Sequence, residues 1–193
     1  FVGARKGQVT EVNSQLSGQS LYALDADADA YLVALADGRV YMVETEHLAR
    51  QSLTTIDVTR SVCELNFSQT PACLVTEDAQ LVRDTIYRGR TIQAADTLGA
   101  AQYMLDQAVA YSLDRKQFNR AIGSFQAVKH MCAEMASQLE PCRSFVWYAG
   151  HAFDEMDNEA ALTACHAKAH LAEVGQFVAK TSTEVHGGMG FTD

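Results

Sequence analysis

The chain has 193 residues, a formal charge of −9 and an apolar fraction of 48%, enough for a sizeable core in one medium domain or two small ones. So acidic a chain lacks the basic stripe of a nucleic-acid binder, although one local basic site for a small anion remains compatible with it. No apolar run approaches the roughly 18 residues of a membrane span.

The first part reads as strands. SLYAL (20–24), AYLVALADGRVYMVE (30–44) and TRSVCELNF (59–67) are short runs rich in Val, Tyr, Leu and Phe, and such runs without helices between them predict an antiparallel sheet or part of a barrel. Ala36-Asp37-Gly38 is a hairpin signal between two β-prone runs. Leu16 to Gln19 reads as a second turn, and Asp25 to Ala30 as a solvated one.

The character changes near Thr76, which predicts a partial β domain over 1–76 and a helical domain over 77–193. From about Arg83 to Lys116 there is no proline, and Ala94, Leu98, Ala101, Leu105, Ala108 and Ser112 trace one helical stripe. A second helix is expected after Gly123-Ser124, with Ser124 as N-cap. Its stripe runs Val128, Met131, Met135, Leu139, Cys142, Val146, Ala149 and Phe153, with a kink or break at Pro141. A third helix is expected from about Asn158 to Glu184, stopped by Gly187-Gly188. Three long helices with short corners predict an antiparallel up-down bundle, and the whole chain an α+β fold. A fourth helix is expected beyond Asp193 or from another subunit.

Five cysteines, at 63, 73, 132, 142 and 165, include no CxxC pair and fit reduced thiols in a cytoplasmic protein. His166 and His170 sit one helical turn apart beside Cys165, but no third ligand of suitable spacing accompanies them, so no metal is assigned.

At this point the chain resembles the acyl-CoA dehydrogenase family. LGAAQYMLDQAVAYSLDRKQF (98–118) resembles the family's first C-terminal helix and its Arg-x-Gln/Thr-Phe corner. IGSFQAVKHMCAEMASQLEPCR (122–143) resembles the following helix, and HGGMGFT (186–192) a third signature. LSGQSLYALDADADAYLVA (16–34) resembles part of the family's middle β domain. Against that pattern the chain, which begins at Phe1, is expected to be incomplete at both ends.

The resemblance implies a flavoprotein that desaturates an acyl-CoA thioester between its α and β carbons. It further implies FAD at a subunit interface, electron-transfer flavoprotein or a similar acceptor, and a homo- or hetero-tetramer. Arg115 would pair with the FAD pyrophosphate, as a guanidinium suits phosphate. Gln117 and Phe118 would line the adenine-ribose side, and Gln126 would bond the cofactor from the next helix. Gly187 and Gly188 would let backbone approach the dinucleotide, with Glu184 beside them. Arg90 matches a family Arg near the acyl-CoA site.

Departures from the pattern are as informative. One family position for the catalytic Glu falls here at about Gly89, and the other lies past Asp193, so no base is assigned. Asn119 replaces the usual Gly of the corner, Ala121 a frequent Pro, and Glu184 a common Gln. These changes keep a second reading open, a catalytically silent partner subunit of a heteromeric enzyme. A third reading is a helical interaction domain without cofactor.

Overall fold

The structure, a computed structural model, describes residues 8–191, the side chain of Asp157 apart. Thr192, the last residue of the glycine-rich motif, lies outside the described residues. The chain divides into two compact units, one reaching Arg83 and the other starting at Asp84.

The first unit is two antiparallel sheets. One has the order β1 (Val9–Val12), β2 (Gln15–Leu24), β6 (Val62–Pro71), β5 (Ala49–Leu53), and the other β3 (Ala30–Ala34), β4 (Val40–Glu44), β7 (Cys73–Thr76). Alternate residues of both sheets meet in one apolar cluster. Leu16, Cys63, Leu65 and Phe67 come from the first sheet, and Tyr31, Val33, Tyr41 and Val43 from the second. This is the period-two logic of strands with one covered face. The predicted Ala36-Asp37-Gly38 turn joins β3 to β4, with Gly38 at φ 93° and its N–H donating to Leu35 O.

The turn read at Leu16 to Gln19 is corrected. Those residues lie inside β2, and the turn is Asn13-Ser14, both with positive φ (53° and 60°), the backbone that a two-residue hairpin requires. Gly18 marks an irregularity of register against β6 instead. At φ 129° it lets the strand close on Gln8, whose carbonyl oxygen a Cβ would meet at 1.8 Å.

The second unit is the helical domain. Helix α1 (Ala79–Asp114) begins in the first unit and runs through most of the predicted span. Helices α2 (Gln126–Glu155) and α3 (Asp157–His186) follow, separated only by Met156. The direction of each is fixed by side chains that meet. Arg143 on α2 donates to Gln102 on α1 (2.6 Å), while Arg88 near the start of α1 lies 4.6 Å from the Phe153 ring near the end of α2. α1 and α2 are therefore antiparallel. Ser182 on α3 donates to Met104 O (3.1 Å), and Gly175 packs on Thr97, so α3 returns parallel to α1. Ala94, Ala101, Leu105 and Ala108 of α1 close one core with Met135, Leu139, Cys142 and Ala149 of α2 and Leu171, Val174 and Val178 of α3.

One local expectation is corrected, and at Pro141 the break is excluded. Ser124 is not the N-cap of α2. Its Oγ donates to Ala121 O (2.7 Å), and the cap position falls on Phe125, whose carbonyl accepts from Lys129 N. Pro141 does not end α2, which continues through it. Proline removes one backbone hydrogen bond, but Leu139 and Cys142 on either side are fully buried, and this packing outweighs the local loss. Among the described residues no helix is long and apolar enough to cross a membrane, and all five cysteines are free.

Candidate functional site

The corner between α1 and α2 is a miniature hairpin. Strand β8 (Lys116–Gln117) pairs with β9 (Arg120–Ala121), Gln117 directly across from Arg120. The turn residues Phe118 and Asn119 both have positive φ, 51° and 60°. Asn tolerates that region better than other non-glycine residues, which explains how the usual glycine is dispensed with here. An aromatic residue there is less usual, and it holds the Phe118 ring 85% exposed with an edge-on contact to Phe125 at 6.1 Å.

The corner is tied down behind the hairpin. Arg115 N donates to Tyr111 O (2.9 Å), continuing the last turn of α1, and Ile122 N donates back to Arg115 O (2.8 Å). Gly123 lies so close to α1 that a Cβ would meet Ser112 O at 2.9 Å. A larger residue would push the corner off the helix end.

The C-terminus of α3 reaches the same place. Gly187 takes φ 61° and its N–H donates to Glu184 O, ending the helix; a 3-10 turn, Gly187–Phe191, follows. Neither Gly187 nor Gly188 has any atom within 4 Å of where a Cβ would stand, so their bare backbone faces open space. The cleft between these elements encloses about 530 Å³ and is lined by Tyr111, Arg115, Gln117, Ile122, Val185, His186, Gly187, Gly188 and Met189.

Four of the sequence candidates thus share one cleft: Arg115, Gln117, Gly187 and Gly188. Phe118 and Gln126 stand at the corner, exposed, but outside the lining. Glu184 is exposed on the last turn of α3 and is also outside it. Arg90 belongs elsewhere. It lies in the N-terminal third of α1, donates to Cys165 Sγ of α3 (3.0 Å) and sits 5.2 Å from the Tyr87 ring centre. Beside it Gly89 has open space at its Cβ position. Sequence reasoning missed Tyr111, Ile122, Val185, His186 and Met189. The signal for Tyr111 was its place one helical turn before Arg115; His186 and Met189 were inside the quoted motif.

Chemically the cleft offers hydrogen-bond donors in the Arg115 guanidinium and the Gln117 amide, the Gly187 N–H being already given to Glu184 O. Among the described residues no side chain pairs with the Arg115 guanidinium, and the neighbouring glycine backbone is unshielded. That donor set, around an open cradle, fits the phosphates of a dinucleotide. Among the described residues no group of three His, Cys, Asp or Glu is placed to share a metal ion; the His170 ring packs on Phe145 at 4.9 Å.

Comparison with known proteins gives one consistent family. A profile described as the acyl-CoA dehydrogenase C-terminal domain matches residues 79–193. Acyl-CoA dehydrogenase FadE34 of Mycobacterium tuberculosis is 29% identical over 188 residues, 96% of this chain and 26% of that protein. Acyl-CoA dehydrogenase IpdE2 of Mycolicibacterium smegmatis is 31% identical over 172 residues, 89% of this chain and 50% of that protein. Among solved structures, a variant of the Tcur3481-Tcur3483 steroid ACAD matches with a TM-score of 0.82 at 27% identity, covering 97% of this chain and 53% of that one. The ChsE4-ChsE5 complex of Mycobacterium tuberculosis matches with a TM-score of 0.80 at 26% identity, covering 100% and 55%. The chain therefore spans about half or less of the length of these relatives.

Proposed function

The chain belongs to the acyl-CoA dehydrogenase family, and from that premise we propose that it is part of an FAD-dependent enzyme that desaturates an acyl-CoA thioester between its α and β carbons. Its own share of the work is the pyrophosphate side of the cofactor site. One observation carries this reading: Arg115, with no partner side chain among the described residues, opens onto the same cleft as the bare backbone of Gly187 and Gly188.

In this reading Arg115 anchors the dinucleotide phosphates by charge-assisted hydrogen bonds. Gln117 contributes its amide from the hairpin, Phe118 offers an exposed ring to the adenine-ribose side, and Gln126 bonds the cofactor from the first turn of α2. Glu184 is best placed at the rim, where its carboxylate stays in water and away from the phosphates. Bound FAD supplies the hydride acceptor of the reaction. Arg90, in the N-terminal third of α1, is proposed for the acyl-CoA site, and an electron-transfer flavoprotein or similar acceptor as the redox partner. A tetrameric assembly is supported by the outer face of α1, where Ile92, Tyr103 and Leu113 are each about two-thirds exposed (69%, 66% and 68%). The unpaired cysteines support a reducing, cytoplasmic setting.

The test is the flavin content of the protein purified with co-expressed partners. Arg115→Ala is expected to lose bound FAD while helicity is retained. FAD occupancy equal to wild type would remove Arg115 from the site, and a colourless wild type that takes up no FAD would leave an interaction domain.

A second reading, a catalytically silent subunit of a heteromer, is favoured by Gly89. It stands at about one of the two positions where the family pattern has the catalytic carboxylate, and its Cβ position is open, so packing does not dictate the glycine. The likeness to the two-component ChsE4-ChsE5 complex supports it. Turnover by this polypeptide without a partner separates the readings: activity alone rules out the silent role.

A further inference from the structure

Acidic residues outnumber basic ones in this chain, 24 to 15, yet Arg90 has no carboxylate partner. Among the described residues the ion pairs belong to Arg39 and Arg143. What holds the Arg90 guanidinium is softer. Nη1 donates one hydrogen to Cys165 Sγ of α3 at 3.0 Å. The guanidinium carbon lies over the Tyr87 ring, 5.2 Å from its centre, within the range of cation–π attraction. Tyr87 stands three residues earlier on the same face of α1. Arg90, Tyr87 and Cys165 are all half-buried, so the contact is partly withdrawn from water and still open to it.

The use of sulfur has a chemical consequence. A carboxylate at position 165 would form charge-assisted hydrogen bonds to the guanidinium fork and cancel its charge. A thiol is a weak, uncharged acceptor. It takes one of five N–H groups and leaves the charge and the other four donors uncommitted among the described residues. The Tyr87 face fixes the plane of the fork without using any donor. An arginine side chain carries large rotamer entropy, which ligand binding must remove. Here two contacts remove part of it beforehand, and neither competes with an incoming anion or carbonyl. Arg88, two residues earlier, stacks instead on Phe153 of α2 at 4.6 Å, so it faces a different helix and cannot stand in for Arg90.

We infer that Cys165, together with Tyr87, is a positioning residue for acyl-CoA binding. The pair holds the Arg90 guanidinium charged, oriented and with most of its donors free for an anionic or carbonyl group of the thioester substrate. This rests on the reading of Arg90 as a substrate contact and adds to it the residues through which that contact is set.

The experiment is a calorimetric titration of the purified full-length complex with butyryl-, octanoyl- and cinnamoyl-CoA. The variants are titrated with whichever of the three the wild type binds tightest. Cys165→Ala is expected to weaken binding about three- to tenfold, the range of one hydrogen bond to a charged group. Cys165→Ser keeps a small acceptor and should bind within about twofold of wild type. Cys165→Asp captures the guanidinium and should weaken binding more than about tenfold. Tyr87→Leu should lose about two- to fivefold, the size of a cation–π contact. In an Arg90→Ala background Cys165→Ala should cost nothing further. Helicity and bound flavin should stay at wild-type levels throughout. Cys165→Ala or Tyr87→Leu binding like wild type, a Ser variant as weak as Ala, an Asp variant as tight as wild type, losses additive with Arg90→Ala, or flavin lost in parallel each overturn the inference. If Arg90→Ala itself still weakens binding in those cases, the reading of Arg90 stands without its positioning residues. Wild-type affinity in Arg90→Ala, or a wild type that binds none of the three thioesters, overturns both.

Discussion

The guanidinium carbon of Arg120 lies 3.8 Å from the centre of the Phe125 ring. This contact joins the hairpin to the residue that precedes α2, and Arg120 is also the cross-strand neighbour of Gln117. One side chain thus couples the entry of a helix to a residue that lines the cleft. Replacing Arg120 with Ala is expected to cost about 0.5–1 kcal/mol, the size of an exposed cation–π pair, in urea unfolding. Arg120→Lys should retain part of that stability, since its charge still reaches the ring but the planar stack is lost. Equal stability of wild type and Arg120→Ala would show the contact to be energetically idle.

Gly175 and Thr97 set how closely α3 can approach α1. A Cβ at position 175 would stand 2.6 Å from Thr97 Cγ2, closer than two carbons can be without the helices moving apart. Gly175→Ala is therefore expected to destabilise by about 1–3 kcal/mol, as overpacking does, despite the better helix propensity of Ala. Thr97→Ser in the same chain removes Cγ2 and leaves a hydroxyl to donate to Gln93 O, as Thr97 does at 2.9 Å. The double variant should recover most of the loss in thermal unfolding. Failure of that rescue would mean that the spacing of the helices is set elsewhere.

Asn119 is held at φ 60° in the hairpin turn. Asn119→Val puts a β-branched residue where its backbone is strained and is expected to cost about 1–2 kcal/mol. Asn119→Gly should cost nothing. Both are read by chemical unfolding, and the Val variant should also bind FAD less well because Arg115 and Gln117 flank the same turn.

Much of this was legible in the sequence, for identifiable reasons. The stripe Ala94, Ala101, Leu105, Ala108 is buried because its spacing matches the helical period and nothing interrupts it. The corner was legible through Arg115 and Gln117 because the motif is compact and local. What failed were signals with two physical meanings. Gly18 reads as a turn, but glycine serves equally where two backbones crowd, and the true turn used Asn13-Ser14. Ser124 reads as a cap, but its hydroxyl bonds a carbonyl behind it instead of an amide ahead. Tyr111 and His186 were invisible as a pair because a stack between α1 and α3 depends on how the helices pack, which neither sequence segment records.

The β unit carries a pH-dependent tie. Arg39 pairs with Glu11 at 2.7 Å and with Asp37 at 2.8 Å. The Ser14 backbone N–H and then Arg39 hold the Glu11 carboxyl below its usual range, while hydrogen bonds from Arg39 do the same for Asp37. A carboxyl lowered in the folded state stabilises it above the ordinary carboxylate range, and that contribution fades as pH falls through the lowered values. The unfolding midpoint should therefore fall as pH drops below about 4, and Arg39→Ala should flatten that fall. An unchanged slope in the variant would place the acid sensitivity on other groups.

Arg90 stands in the N-terminal third of one unbroken helix and Arg115 just beyond its C-terminal end. At 1.5 Å of rise per residue the distance between them is on the order of 37 Å. A rigid rod of that length keeps the two cations from converging on a single reacting centre. If both cations serve ligands as proposed, each polypeptide contributes to two different centres, and the ratio of flavin to subunit becomes a property of the assembly. Mixing wild-type subunits with subunits altered at one of them would then give activity that follows the statistics of pairing, not the fraction of wild-type chains.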